Sequence, residues 1–375
     1  MADKLRAGII GCGEMTRYHA FGYLNSERYE VVALADLSER AMTEFDGLFS
    51  EYDDYKPKHF TDAREMLDKA NLDVVSVGVW DTGHAPFTIA AAAAGAKAIL
   101  CEKPMAESVG VAADMMLVCR RHGVKLTIGH QRRFLPSWVL AKQMIADGEI
   151  GVVRQMVCFA RDGLPPYSTH QTDMFRFLLG DVECTWAMGA VERETDHWSR
   201  SIPIEDRALA MFGFEGGALG MILSDLTPEF HYGANIYGTD GMIDLTITDL
   251  KLMNAKTNGW QLHTPDGDFF KPDVDRFEML EAGAAQARRI ADWVSGEVPD
   301  HRGDGINGFK ALEMVHAVYE SARTHTQVRL PLKTLVSPLG LMIDSGHLPV
   351  RYPGRYDIRT HLLRGENVAA DIENE

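Results

Sequence analysis

Nowhere along its 375 residues does the chain hold the roughly 20 consecutive apolar positions that a bilayer-spanning helix requires, so no membrane partner is expected. Positive charge is short as well: 38 Lys and Arg stand against 54 Asp and Glu, for a net charge of −16. That balance disfavours a nucleic-acid partner, whose phosphates would meet a repelling field. Cysteine is sparse and scattered. Cys12, Cys101, Cys119, Cys158 and Cys184 form an odd set with no Cys-x-x-Cys pair, which suggests neither a disulfide framework nor a metal site. The first residues run straight into an apolar strand without a signal-peptide pattern, and a reducing cytoplasm is the expected setting. Internal repeats and low-complexity linkers are lacking too.

What is present suffices for two cores, since 46% of the residues are hydrophobic. Strands are expected over 5–10, 29–35, 73–79, 98–101 and 124–129. Helices are expected over 14–24, after Ser38, and over 62–70, 84–94 and 108–122. Such alternation is the pattern of a doubly wound parallel sheet, so residues 1–129 read as an α/β Rossmann domain. After about residue 130 the pattern changes. A helix over 136–146 is followed by β-like runs at 152–161, 182–190, 208–214, 218–226 and 231–237, with turns such as Glu215-Gly216-Gly217 between them. Two helices follow, at 277–294 and 305–323. Residues 130–331 therefore read as an α+β domain with a large, mostly antiparallel open sheet. Residues 332–375, with Pro338, Pro349 and Pro353, read as an extended tail placed to pack on a neighbour.

A dinucleotide site needs glycines after the first strand, a helix N-terminus facing the pyrophosphate, and a carboxylate ending the second strand to accept from ribose hydroxyls. Gly11 and Gly13 supply the turn, the helix opens near Glu14 and Met15, and Asp36 ends the second strand. A carboxylate at Asp36 repels a 2′-phosphate, and Leu37 and Ser38 follow it rather than an arginine, so NAD is favoured over NADP. Thr16 stands where a third glycine is usual, and its hydroxyl is open to face phosphate.

Further pieces are more specific in combination than alone. They are Gly8-Ile9-Ile10-Gly11-Cys12-Gly13 with His19-Ala20; Glu102-Lys103-Pro104; Gln131-Arg132-Arg133-Phe134; Gly148-x-x-Gly151; His170-x-x-Asp173; Tyr237-Gly238-Thr239-Asp240-Gly241; and Tyr319-Glu320-Ser321-Ala322-Arg323. In order, over residues 5–331, they resemble the glucose–fructose oxidoreductase, inositol dehydrogenase and MocA family. The resemblance implies an NAD-dependent oxidoreductase acting on a secondary alcohol of a sugar, inositol or related polyol. It makes Lys103 and His170 catalytic, the first stabilising an alkoxide and the second moving a proton. Asp173 then binds a substrate hydroxyl or orients the ring. Glu102 holds the nicotinamide ribose, with Trp80, His84, Gln131 and Lys103 also on the cofactor side, although His84 equally suits a cap or a backbone contact. Arg133, Asp162 and Tyr167 join Lys103, His170 and Asp173 on the substrate side, with Arg133 preferred over Arg132 for the substrate.

Two departures stand out. Pro166 occupies the position of an aspartate that many relatives place four residues before the histidine, leaving Tyr167, Asp162 or water to substitute. Trp80-Asp81 replaces a usual Pro-Asn pair, and Trp80 suits stacking on a sugar ring or the nicotinamide. Trp138, His197, His231 and Tyr232 are further candidates for the substrate wall. A homodimer or homotetramer is expected. Two other readings use the same parts: a redox-elimination enzyme that cleaves glycosides and recycles its cofactor, and a catalytically silent dinucleotide binder.

Overall fold

The computed structural model describes residues 4–227, 232–265 and 277–358. The first part of the chain alternates strand and helix: β1 (Leu5–Ile10), α1 (Glu14–Asn25), β2 (Tyr29–Ala35), α2 (Glu39–Phe49), β3 (Tyr55–Phe60), α3 (Ala63–Lys69), β4 (Val74–Val77), α4 (Asp81–Ala93), β5 (Ala98–Cys101), α5 (Val109–His122) and β6 (Lys125–Ile128). The strands form one parallel sheet in the order β3-β2-β1-β4-β5-β6. Strand order reverses between β1 and β4, which opens a crevice at their C-terminal ends. Ser38, Asp62 and Ser108 cap α2, α3 and α5 through their side chains. The strand β3 had no sequence signal. It is the sheet's edge, its residues Tyr-Lys-Pro-Lys-His-Phe are mostly exposed, and lysines and a proline are what such an edge tolerates.

A 3₁₀ turn, Gln131–Phe134, leads from β6 into α6 (Pro136–Ala146) and β7 (Val153–Ala160). A single π turn, Leu164–Ser168, then runs into α7 (Thr169–Leu178). Next come β8 (Cys184–Glu192), β9 (Thr195–Ser199), β10 (Ile202–Pro203), β11 (Arg207–Phe214), β12 (Leu219–Ser224), β13 (Ala234–Gly238), β14 (Gly241–Leu245), β15 (Leu250–Asn254) and β16 (Gln261–His263). The chain closes with α8 (Phe277–Ser295), α9 (Gly305–Thr324), β17 (Val328–Arg329), α10 (Pro338–Asp344) and β18 (Tyr352–Asp357). Nine strands form the second sheet, in the order β16-β15-β14-β13-β7-β12-β11-β8-β17. It is antiparallel except where β7 meets β12. Inward residues such as Met156, Phe212, Ile222 and Ile236 pack with Trp138, Phe175 and Tyr319 in one core. Among the described residues no helix is long and apolar enough to cross a membrane.

A linear cut at residue 129 does not separate the packing. The helix α8 lies against α1 so closely that a Cβ on Gly22 would stand 2.7 Å from the Gly283 carbonyl oxygen. Tyr29 donates its hydroxyl to the Ala287 carbonyl at 2.6 Å, and Ala287, Ile290 and Ala291 complete an apolar cluster with β1 and β2 residues. The late helix thus covers the first sheet.

The tail departs from expectation. Pro338 starts α10 at its first turn, Ser337 caps it, and Leu339 and Met342 enter the second domain's core. The strand β18 pairs in parallel with β9, making a three-stranded sheet β10-β9-β18. Residues 332–358 therefore fold onto their own chain, which corrects the reading of an extended arm. Residues 359–375 and the candidate His231 lie outside the described residues.

Candidate functional site

The glycine turn sits at the strand-order reversal. Gly11 has φ +88°, and a Cβ there would fall 2.5 Å from the Gly78 carbonyl oxygen, so only glycine fits. Nothing lies within 4 Å of a Cβ built on Gly13. Gly13 is the N-cap of α1 and no side chain caps that helix, which leaves its first N–H groups directed into the crevice above Glu14 and Met15. Asp36 accepts from the Cys12 N–H at 2.7 Å and the Ser38 N–H at 2.9 Å, so its carboxylate is fixed beside the turn. Thr16 is corrected. Its buried hydroxyl donates to the Gly11 carbonyl at 2.6 Å rather than facing a phosphate. Its methyl fills the space that Gly78 vacates, since a Cβ at Gly78 would lie 2.2 Å from Thr16 Cγ2. The packing that usually asks for a third glycine is met here by a glycine on the opposite side.

Just past β5, Glu102 is buried and held by a chain of polar groups. Its Oε1 lies 3.0 Å from His19 Nε2, and its Oε2 accepts the Lys103 N–H at 3.2 Å. His19 Nδ1 meets Ser76 Oγ at 3.2 Å, and Ser76 meets the Tyr23 hydroxyl at 2.7 Å. Burial alone pushes the Glu102 carboxyl upward. The His19 ring and Lys103 outweigh it, so Glu102 stays below the usual carboxylate range. Sequence reasoning assigned His19 no role. The available signal was its i,i+4 spacing with Tyr23, which puts both on the face of α1 that meets β4. His84 takes the backbone contact rather than the cofactor role. It is fully buried, and its ring nitrogens face the Pro104 and Val79 carbonyls at 2.8 and 3.2 Å, so it braces the backbone instead of offering a polar group to a cofactor. Trp80 stands half-buried at the N-cap position of α4.

From the other side, the π turn brings Pro166 up to Lys103, whose Nζ donates to the Pro166 carbonyl at 2.8 Å. That turn is anchored from below: Leu164 N–H donates to Glu205 at 2.7 Å, and Glu205 accepts the Tyr319 hydroxyl. Asp162, half-buried at φ +62°, has its N–H on Asp225 and its carboxylate 3.8 Å from Arg161. His170, in the first turn of α7, packs edge-on at 5.5 Å from the His130 ring and 6.5 Å from the Tyr167 ring. Its Nδ1 is buried and has no hydrogen-bond partner among the described residues. Burial, followed by the charges of Arg132 and Lys103, pushes the His170 ring well below the usual histidine range, so it is neutral near pH 7. The side-chain oxygen of Gln131 is likewise buried without a partner.

The two neighbouring arginines face different surroundings, and Arg133 is corrected. Arg133 is fully buried and directs Nε at both oxygens of Asp173, at 2.9 and 2.8 Å, while its Nη2 also reaches Asp181 at 2.8 Å. Arg133 is therefore a structural cation, and Asp173 does not present an unengaged carboxylate to a substrate hydroxyl. Arg132 instead lies over the Tyr167 and Tyr232 rings, beside His170. Of the remaining wall candidates, Tyr232 joins this cluster, 5.7 Å from Tyr167. Trp138 is sealed in the core, and His197 belongs to the small sheet, held by Asp206 at 3.0 Å and stacked near Tyr356. Both are removed from the wall.

An uncapped helix end, an open glycine beside it and a fixed carboxylate suit a dinucleotide, and the second domain adds a neutral imidazole near an ammonium. Fold and site together define a nicotinamide-dependent oxidoreductase of two domains. Residues 5–130 match the model described as an oxidoreductase family NAD-binding Rossmann fold, and residues 162–330 match the C-terminal alpha/beta domain of the same family. The chain belongs to the Gfo/Idh/MocA oxidoreductase family and binds NAD. It is 25% identical to D-apiose dehydrogenase of Paraburkholderia graminis over 370 residues, covering 92% of this chain and 94% of that protein. It is 27% identical to myo-inositol 2-dehydrogenase of Thermotoga maritima over 256 residues, covering 64% and 74%. A structure of levoglucosan dehydrogenase in complex with NADH and levoglucosan matches with a TM-score of 0.76 at 19% identity, over 88% of this chain and 100% of that one. At that identity the likeness is one of fold.

Proposed function

We propose that this chain oxidises a secondary alcohol of a sugar, inositol or related polyol. The observation that carries the reading is the neutral His170 imidazole within electrostatic reach of the Lys103 ammonium, which meets the Pro166 carbonyl four residues before that histidine. NAD, when bound, supplies the hydride acceptor. Gly11, Gly13, Glu14 and Met15 hold its diphosphate at the α1 N-terminus, Asp36 accepts from the adenosine ribose, and Glu102 from the nicotinamide ribose. Gln131 and Trp80 flank the nicotinamide. Lys103 directs an N–H at the carbinol oxygen and stabilises the charge that grows there. His170 accepts the hydroxyl proton at Nε2, the ring nitrogen that burial does not seal. With Pro166 offering only a carbonyl, Tyr167, Asp162 or water passes that proton on. The Asp36 carboxylate favours NAD over NADP. The dehydrogenases among the relatives above support the substrate class.

Reduced-nicotinamide absorbance, followed with NAD and a panel of sugars and polyols, tests this. Steady accumulation of NADH is expected with at least one alcohol. Sugar cleavage without NADH would instead mark redox elimination, and failure to bind NAD would leave a silent fold.

The same proposal includes self-association. On the outer face of the second sheet Met188, Met211 and Met221 stand opposite one another across β8, β11 and β12, and Leu209, Leu219 and Tyr237 extend the patch. A contiguous apolar face of this kind marks an interface. Light scattering at micromolar concentration is expected to give a homodimer or homotetramer, and a monomer would refute it.

A further inference from the structure

Carboxylates around the site face basic groups. Glu102 is matched by His19, and Asp173 and Asp181 by Arg133. The other deeply buried arginines have carboxylates too: Arg193 meets Asp196 at 2.6 Å, and Arg176 meets Glu183 at 3.7 Å. Arg132 is only 4% exposed. Yet among the described residues no carboxylate stands at ion-pair distance from it. Its Nε and Nη1 are buried without an acceptor, and its Nη2 reaches only the Tyr167 hydroxyl, at 3.3 Å. The ring faces of Tyr167 and Tyr232, 5.2 and 4.9 Å from the guanidinium carbon, compensate in part. A buried guanidinium with two orphaned nitrogens is nevertheless costly unless an anion arrives to complete it.

Its position says where that anion belongs. The charge of Arg132 bears on His170, so a buried cation without a carboxylate at ion-pair distance among the described residues stands beside the proposed base. Pro166 places a carbonyl, not a carboxylate, before Lys103. A neutral polyol would bury Arg132 further and leave it unpaired. The aromatic faces beside it suit a flat carboxylate better than a hydrated tetrahedral phosphate.

We propose that the substrate is a sugar acid, of the aldonic or uronic kind, whose carboxylate pairs with Arg132 while a hydroxyl of the same molecule faces His170 and Lys103. The inference deepens the alcohol-oxidising reading and rests on it. It is tested by kcat/KM with NAD on matched pairs: glucuronate against glucose, gluconate against sorbitol, with glucose 6-phosphate as a third arm. Calorimetric titration of each compound into NADH-loaded protein gives a readout independent of turnover. The expected result is a preference for the acid of roughly 100-fold or more, the scale of a buried charge pair. In Arg132→Gln that ratio should fall to near one, chiefly through KM, with Arg132→Lys intermediate and NAD affinity retained. A melting curve establishes that each variant is folded. Acids that bind the NADH-loaded protein but yield no NADH would refute the dehydrogenase reading and leave the anion site standing. Three outcomes would overturn the anion site itself: neutral polyols bound or turned over as well as their acids, the phosphate preferred over the acid, or an acid-to-neutral ratio unchanged in Arg132→Gln.

Discussion

Replacing Lys103 or His170 by alanine is expected to lower turnover with NAD and the best alcohol by roughly two to four orders of magnitude, the range for loss of a positioned acid/base or charge-stabilising group. NAD affinity should change little, because the diphosphate and adenosine contacts are proposed at Gly11, Gly13 and Asp36. Steady-state kinetics together with NAD titration separate the two quantities. A variant at either position with near-normal turnover would remove that residue from the chemistry.

The same pair carries a pH signature. Burial, followed by the neighbouring cations Arg132 and Lys103, disfavours the imidazolium of His170. The neutral base therefore persists below the ordinary histidine range, and kcat/KM should hold its plateau from pH 8 to below 6.5 before falling. Removing Arg132 deletes one of those charges, so the acid limb should move to higher pH in Arg132→Gln. An acid limb at the ordinary histidine value in the intact protein, unmoved in the variant, would contradict the placement of that charge.

Asp173→Ala is expected to cost about 3 kcal/mol of stability, the lower end for stripping one partner from a buried ion pair, because Asp181 still contacts Arg133. Arg133 is fully buried and Asp173 is 1% exposed, so solvent cannot replace the lost carboxylate. The double variant Arg133→Met/Asp173→Leu should recover much of the loss, since an apolar pair of similar volume avoids the unpaired charge. Denaturant unfolding measures both. If Asp173→Ala keeps its midpoint and loses only turnover, Asp173 acts on the substrate and not through Arg133.

Much of the first domain is legible in the sequence because its buried strands are short apolar runs closed by a glycine or a carboxylate. The edge strand β3 is not, since it buries little and its residues are chosen to resist further pairing. The tail helix escapes notice because Pro338 looks like a breaker, whereas proline at a first helical turn is favourable. Lys103, His170, Glu102 and Asp36 stand out through their motifs and strand-end positions. The split between Arg132 and Arg133 does not. A 3₁₀ turn rotates successive side chains by about 120°, so two neighbouring arginines face different surroundings, and only three-dimensional packing decides which meets Asp173. Thr16 is similar: whether a third glycine is required depends on Gly78, 62 residues later in the chain and across the crevice.

A crystal structure of the protein with NADH and a bound sugar acid or polyol bears most directly on the proposed chemistry. The expected result places one carbinol oxygen within hydrogen-bond reach, about 2.6–3.2 Å, of both Lys103 Nζ and His170 Nε2. A ligand seated with its hydroxyls away from that pair would contradict it.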